Sequence, residues 1–141
     1  MDVLFVASVA VIVADPSRSR RLYMGALGLP LEGGGDGYYS SGNIPGTKHF
    51  GVWPLSEAAE SCFGTPEWPA GLAVPQVSIE FEVADVEAVA AAGEELRGAG
   101  YELLHGARTE PWGQTVTRLL TEDGVIVGIS YTPPFHEEDP A

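Results

Sequence analysis

The stretch SVAVIVADP at residues 8–16 is matched 70 positions later by SIEFEVADV at residues 78–86, and this repeat decides the fold. Side chains in both stretches alternate between two faces, as in a half-buried strand, and each stretch reaches an Asp that can cap a helix. The proline after the first Asp stands where a helix needs no amide donor, so a helix is predicted from there to near Gly28. Asp85 is predicted to cap a second helix that ends near Gly98. The same strand-to-helix junction is therefore written twice.

Short strand-like pieces, divided by Gly, Pro, Asn and Asp, follow each predicted helix. After the first helix they read LPLE, GYYSS and KHFGVWPL, and after the second YELLHG, QTVTRLL and VIVGISY. Each half thus reads strand, helix and three strands, and one such half cannot close a core alone. We predict an α+β fold in which two tandem βαβββ modules form one curved, mostly antiparallel sheet around a cavity, with the helices on its outer face.

One domain is predicted, with module 1 at about residues 1–55 and module 2 at about residues 75–132. Residues 56–74, with the helix-like SEAAES and several prolines, read as a connector, and residues 133–141 read as a mobile acidic tail. In the first strand of module 2, one face is wholly apolar and is predicted to lie under the helices. The mixed face, which carries Ser78, Glu80 and Glu82, is then predicted to line the inside of the curve.

Composition limits the possible partners. Twenty acidic and seven basic residues give a net charge of −13, which argues against nucleic acid and anionic membranes and favours cationic partners. The longest apolar run, residues 3–14, is too short for a membrane span. It also lacks the preceding basic residues that a signal peptide has. Cys62 is the single cysteine, so no internal disulfide forms, and a cytoplasmic location is predicted.

Three stretches resemble the vicinal oxygen chelate superfamily, which includes glyoxalase I, extradiol dioxygenases, fosfomycin resistance enzymes and bleomycin resistance proteins. They are SVAVIVADPSRSRRLYMGALGL at residues 8–29, IEFEVADVEAV at 79–89 and EPWGQTVTRLLTEDGVIVGIS at 110–130. The resemblance covers nearly the whole chain and implies the fold described above. It implies no single reaction, because this fold carries many chemistries.

The resemblance also implies where a metal would bind. Enzymes of this superfamily hold a divalent metal through His, Glu or Gln on the first and last strands of each module. The corresponding positions here are Ser8, Trp53, Ser78 and Gly128. Neutral hydroxyls, an indole and a missing side chain do not hold such a metal, so neither a metal nor another cofactor is expected, and the balance is against an enzyme. A relocated site built from His49 and Glu80 is the alternative.

Bleomycin resistance proteins are the members that this picture most resembles, since they are acidic, lack the metal site, form dimers and hold a cationic antibiotic unaltered. The leading hypothesis is a metal-free, homodimeric protein that binds a small molecule, sequestering a cationic or aromatic metabolite or antibiotic. The alternatives are a divergent lyase, isomerase or oxygenase, with a shifted metal site or acid–base chemistry, and a protein-interaction domain whose cavity is filled. The candidate ligand-binding residues are Ser8, His49, Trp53, Ser78, Glu80, Trp112 and Gln114.

Overall fold

The structure is a computed structural model that describes residues 1–33 and 37–137. A seven-stranded sheet organises this part of the chain. The strand order across the sheet is β2-β3-β1-β4-β7-β6-β5. The strands are β1 (Phe5–Val13), β2 (Tyr39–Ser41), β3 (His49–Pro54), β4 (Val77–Glu82), β5 (Leu103–Thr109), β6 (Thr115–Leu120) and β7 (Val125–Tyr131).

The two repeated strands meet at the centre of this sheet. β1 and β4 pair antiparallel, with Ser8 opposite Glu80 and Ala10 opposite Ser78. Each of them also pairs in parallel with the last strand of its own half, β1 with β3 and β4 with β7. The remaining pairs, β2 with β3, β5 with β6 and β6 with β7, are antiparallel. The predicted fold class, two modules joined edge to edge in a mostly antiparallel sheet, is confirmed.

Module 1 differs from the prediction in its first hairpin. The segment LPLE forms no strand, and its only ladder contact is an isolated antiparallel bridge between Glu32 and Ser40. Pro30 has no amide to give to a neighbouring strand, and Gly33 has a φ of +127°, which turns the chain away from the extended path. Residues 34–36, in the glycine-rich stretch between LPLE and GYYSS, lie outside the described residues.

Both predicted helix starts are confirmed. Helix α1 (Pro16–Arg20) begins after Asp15, whose side chain accepts from the Arg18 amide at 3.1 Å, and continues as a π-helical stretch, Arg21–Ala26. In module 2, the helix Val86–Gly98 begins after Asp85, whose side chain accepts from the Ala88 amide at 2.8 Å. Each carboxylate satisfies an amide that the first turn leaves without a partner.

The two module helices cover the outer face of the sheet. The helical stretch of module 1 packs Tyr23 and Met24 near Val52 of β3, beside the fully buried Tyr39. In module 2, Val89 and Ala92 of the helix pack against the sheet residues Val83 and Ile129. Burial of these apolar side chains is the main favourable contribution to the fold.

The connector contributes a further helix, α2 (Leu55–Phe63), which lies on the inner side of the sheet. Its buried Cys62 packs against Ile12 of β1 and Ile126 of β7. Burial raises the pKa of the Cys62 thiol, so the thiol stays protonated and acts as a small apolar group. The module 2 helix, Val86–Gly98, is α3. One end of the curve is thus closed by α2.

The chain closes the other end of the curve with a 3₁₀ turn, Pro133–His136. Glu82 is fully buried there and accepts hydrogen bonds from Ser130 Oγ at 2.8 Å and the Thr132 amide at 2.5 Å. His136 Nε2 lies 2.7 Å from the same carboxylate. The prediction of a tail that starts at residue 133 is therefore wrong, because a buried carboxylate needs these partners. Residues 138–141 of the predicted tail lie outside the described residues. No helix in the described part of the chain is long and apolar enough to cross a membrane.

Candidate functional site

A cavity of about 380 Å³ lies on the inner face of the sheet, between α2 and the C-terminal turn. All seven candidate residues chosen from the sequence line this cavity. Two of them, Ser78 and Glu80, lie on the face of β4 that was predicted to point inward. Six further residues, which were not among those candidates, complete the wall. The full lining is Ser8, Ala10, Tyr38, His49, Trp53, Glu57, Ser78, Glu80, Trp112, Gln114, Arg118, Thr132 and Phe135.

Strand register places the polar groups of the cavity in one row across the sheet. His49 pairs with Ser8, Ser8 with Glu80, and Glu80 with Gly128. Gly128 pairs in turn with Arg118. Adjacent strands are spaced by about 4.8 Å, so the row spans the whole floor of the cavity. The sheet therefore brings residues that are far apart in the chain into one line.

Glu80 is held by a chain of hydrogen bonds from the cavity mouth. The Trp112 indole, in a side chain that is 59% exposed, donates to Gln114 Oε1 at 2.8 Å. Gln114 Nε2 donates to Glu80 Oε2 at 2.5 Å. Burial raises the pKa of Glu80, and the charge of Arg118 and the Gln114 hydrogen bond oppose that rise only in part. These hydrogen bonds fix the orientation of the Glu80 carboxyl group, which is more easily protonated than that of an ordinary glutamic acid.

His49 and Tyr38 form a second polar pair on the opposite wall. Tyr38 Oη and His49 Nε2 are 2.5 Å apart, and the rings stack with centroids 5.9 Å apart. Burial lowers the pKa of His49 and raises that of Tyr38, so both are neutral near pH 7. In the neutral imidazole tautomer that carries its proton on Nδ1, Tyr38 Oη donates and Nε2 accepts. The Phe135 ring lies 6.3 Å from His49 and continues this wall.

Arg118 is the most informative residue that sequence reasoning missed. Its side chain is 2% exposed, and Nη1 donates to Glu110 Oε1 at 2.8 Å and lies 3.1 Å from His105 Nε2. Its guanidinium lies 5.6 Å from the centre of the Trp53 ring. A signal was available, because β6 alternates from Gln114 and therefore turns residue 118 to the same face.

The charge of Arg118 contributes to the pKa shifts of its neighbours His105 and Glu110. Burial, with the charges of Arg118 and Arg108, lowers the pKa of His105 to about 4. Burial alone would raise the pKa of Glu110, but the hydrogen bond and charge of Arg118, with the charge of Arg108, bring it below its usual value. Glu110 is therefore ionised and His105 neutral near pH 7.

Three other aromatic residues pack in the core and do not line the cavity. Tyr39 and Phe50 pack on the outer side of the sheet, near the helical stretch of module 1. Phe63 packs edge-on against Trp68 at the α2 end, with ring centroids 5.0 Å apart. Burial also raises the pKa of Glu57, the acid that α2 contributes to the wall. The cavity thus has aromatic walls and two carboxyl groups whose pKa values are raised by burial.

Comparison with known families agrees with this architecture. The family model of the glyoxalase/bleomycin resistance protein/dioxygenase superfamily matches residues 6–129. The chain belongs to this superfamily. A search of curated protein sequences gave no significant match.

Several solved structures share the fold at low sequence identity. A member from Vibrio splendidus 12B01 is 15% identical, with a TM-score of 0.58, 90% of this chain covered and 97% of the other. Streptomyces coelicolor methylmalonyl-CoA epimerase is 16% identical, with a TM-score of 0.57, 99% of this chain covered and all of the other. A Legionella pneumophila protein described as an NAD-dependent benzaldehyde dehydrogenase is 14% identical, with a TM-score of 0.61, 88% of this chain covered and 96% of the other. These likenesses show the fold alone.

The internal repeat corrects one of the four superfamily metal positions. Ser8 and Ser78 are equivalent, since each lies seven residues before its capping Asp. Ala10, the equivalent of Glu80, pairs with Gly51, whereas Glu80 pairs with Gly128. The counterpart of Gly128 is therefore Gly51, and the assignment of Trp53 was wrong by two residues. Side chains two residues apart on a strand share a face, so the sequence pattern could not separate them.

Neighbouring side chains fill the space at both glycines. A Cβ at Gly128 would lie 3.1 Å from Cγ of Glu80, and one at Gly51 would overlap the Tyr38 ring. With serine hydroxyls at the other two positions, the donor set does not fit the divalent metal of the superfamily's enzymes. Within residues 1–33 and 37–137, no group of three or more His, Cys, Asp or Glu could hold a metal ion elsewhere.

Proposed function

We propose that this protein binds a small, planar, largely aromatic molecule in the cavity, without a metal ion. The observation that carries the proposal is the convergence of Tyr38, Trp53, Trp112 and Phe135 on one cavity. Aromatic faces supply large contact areas at low entropic cost, and the few polar groups between them can orient a ligand. The volume is near the lower end of the range of small-molecule sites, about 300–1,000 Å³, which favours a ligand of one or two rings.

Of the two ligand chemistries that the sequence suggested, the aromatic one has more support in the cavity. The net charge of −13 would attract cations at long range. Inside the cavity, however, Arg118 carries a permanent positive charge, while burial raises the pKa values of the carboxyl groups of Glu57 and Glu80. We therefore propose sequestration of an aromatic metabolite or antibiotic, in a homodimer as in the bleomycin resistance proteins.

Tryptophan fluorescence tests this proposal directly. The variant Trp68→Phe leaves Trp53 and Trp112, both in the cavity wall, as the emitting tryptophans. Titration with naphthalene derivatives is expected to change their emission saturably, and added EDTA is expected to leave the binding curve unchanged. Trp53→Ala in the same background is expected to weaken binding about tenfold or more, since a buried aromatic contact is lost.

The control for that experiment is Tyr101→Ala, which removes an exposed aromatic residue that does not line the cavity. Unaltered binding in this variant would tie the effect of Trp53 to the cavity. A complete absence of saturable binding across neutral, cationic and anionic naphthalenes would contradict the proposal.

Acid–base catalysis by Glu80 and His49 is the second candidate function. Both residues border Ser8 in the cross-strand row, and burial raises the pKa of Glu80 toward the range useful for proton transfer. Methylmalonyl-CoA is a suitable probe, because a structurally similar methylmalonyl-CoA epimerase, with a TM-score of 0.57, has been solved in complex with it. Deuterium incorporation at its acidic carbon in D₂O, lost in Glu80→Gln, would favour the enzyme over the binding protein.

A further inference from the structure

Arg118 has donor groups that the protein does not satisfy. The hydrogen bonds of its guanidinium all leave from Nη1, toward Glu110 and His105. Nε is buried without a partner, and among residues 1–33 and 37–137 no hydrogen bond from Nη2 is observed, since the bonds of Arg118 leave from Nη1. A buried donor of a charged group left without an acceptor costs about 1–3 kcal/mol or more. Because Arg118 also lines the cavity, an acceptor that enters the cavity can meet this need.

The two unsatisfied nitrogens, Nε and Nη2, lie on one edge of the planar guanidinium. That edge has the geometry that pairs with both oxygens of a carboxylate through two parallel hydrogen bonds. A single carbonyl or hydroxyl oxygen would leave part of the edge unpaired, and an ammonium group offers no acceptor. Thr132 Oγ1 is a second buried polar atom without a partner in the same wall. The donor pattern of the cavity therefore matches an oxyanion better than a cation.

The charges around Arg118 leave room for a further negative charge. Glu110 is shared between Arg118 and Arg108, at 2.8 Å and 3.2 Å, so one carboxylate faces two guanidinium groups. No salt bridge joins Arg118 to Glu80, whose carboxyl is bonded to Gln114 instead. Within this hydrogen-bonded group, two guanidinium charges therefore face the single carboxylate of Glu110. Long-range repulsion by the acidic surface is screened within about 8 Å at physiological ionic strength.

The position of the Trp53 ring also indicates how such a ligand would lie. The guanidinium of Arg118 sits over the Trp53 ring, at 5.6 Å from its centroid. A carboxylate bound to that guanidinium would place an attached ring near Trp53. Trp53, which is proposed to contact the ring of the ligand, therefore lies next to the guanidinium that is proposed to bind its carboxylate.

We propose that the Nε–Nη2 edge of Arg118 binds the carboxylate of an aromatic acid, the ligand class of this cavity. The inference rests on the proposed binding function and assigns the chemical class of its ligand. It selects aromatic carboxylates over neutral and cationic analogues of the same size.

Three probes of one shape test this assignment, namely 2-naphthoate, 2-naphthamide and 2-naphthylmethylammonium. We expect the wild-type protein to bind the carboxylate about ten- to a hundredfold more tightly than the amide, as expected for hydrogen bonds to a charged group. Isothermal titration calorimetry and tryptophan fluorescence give the dissociation constants. Equal or tighter binding of the amide or the ammonium probe would overturn the assignment of a carboxylate but leave the proposed binding function standing. Binding of none of the three would overturn both.

Variants of the arginine locate the effect. Arg118→Met is expected to abolish the preference for the carboxylate while the amide still binds. Because this variant leaves Glu110 with one partner fewer and can fold poorly, Arg118→Lys is measured as well. Lysine keeps a positive charge but lacks the two-nitrogen edge, so we expect it to lose about tenfold of the preference. Arg108→Lys is the matched control, since Arg108 bonds the same Glu110 but does not line the cavity. An undiminished preference in Arg118→Lys, or an equal loss of preference in Arg108→Lys, would contradict the role of Arg118.

Discussion

Ile12 and Glu82 occupy equivalent positions in the two modules, and the chain closes the cavity differently at each. Ile12 packs against Cys62 and Ile126 beneath α2, in an apolar cluster. Glu82 is fully buried beneath the C-terminal turn and binds Ser130, the Thr132 amide and His136. A duplicated strand can thus keep its backbone while one copy is closed by apolar packing and the other by a hydrogen-bonded carboxylate.

The largest expected effect is the loss of the polar closure. In Glu82→Ala, a carboxylate is removed and several buried donors lose their acceptor, so we expect a loss of about 3–5 kcal/mol in the free energy of unfolding. Ile12→Ala is the matched change at the apolar end, where the cost is about 2–5 kcal/mol and depends on the residual cavity. Urea unfolding measures both.

A second readout distinguishes the two closures. Proteolysis near the C-terminal turn is expected to accelerate in Glu82→Ala and not in Ile12→Ala, because Glu82, unlike Ile12, is hydrogen-bonded to residues of that turn. Equal acceleration in both variants would mean that the two ends of the cavity open together, and the contrast between them would fail.

A smaller effect is expected where the modules place glycines at equivalent positions. Gly51→Ala puts a methyl group into the Tyr38 ring, whereas Gly128→Ala meets Cγ of Glu80 at 3.1 Å, a contact that a flexible side chain can relieve. We expect Gly51→Ala to cost about 1–3 kcal/mol through overpacking, and Gly128→Ala to cost less. Thermal unfolding gives the order. A more destabilising Gly128→Ala would show that Glu80 is held more rigidly than Tyr38.

The smallest expected effect concerns acid stability. His105 in module 2 has a pKa lowered to about 4, from its usual value of 6.5. Between these values the unfolded chain holds a proton that the folded chain does not, so stability falls as the pH drops from 6.5 toward 4. Since His105 is partly exposed, the loss is discounted for solvent screening to about 1 kcal/mol. His105→Gln is expected to lose less stability than the wild-type protein when the pH is lowered from neutral into this range.

His49 of module 1 is the comparison for that measurement. Burial alone lowers its pKa, without the arginine charges that act on His105. Each histidine's contribution to the pH dependence of the unfolding free energy is the difference between the wild-type protein and His105→Gln or His49→Gln, measured by urea unfolding. Added salt is therefore expected to reduce the contribution of His105 more than that of His49. The same salt response in both would contradict the contribution of Arg108 and Arg118.

Much of the fold and the cavity could be predicted because local signals agreed with each other. Strand alternation, two Asp caps and the offset of 70 residues indicated the paired modules, and alternation alone placed Ser78 and Glu80 inside the curve. The position of α2 could not be predicted, since its packing on Ile12 and Ile126 joins residues far apart in the chain. Arg118 was missed because charged residues are assumed to be exposed, although alternation from Gln114 turns it to the cavity face. Its burial depends on the partners Glu110 and His105, which the structure brings together.

The turn that carries Phe135 lies beyond both repeated modules, yet Phe135 forms part of the cavity wall. The shape of the chamber is consequently encoded in two separate places, the duplicated sheet and a short segment near the end of the chain. Changes confined to that segment could alter which molecules fit without disturbing any strand. Such an arrangement gives evolution, or a protein engineer, an independent means of adjusting selectivity.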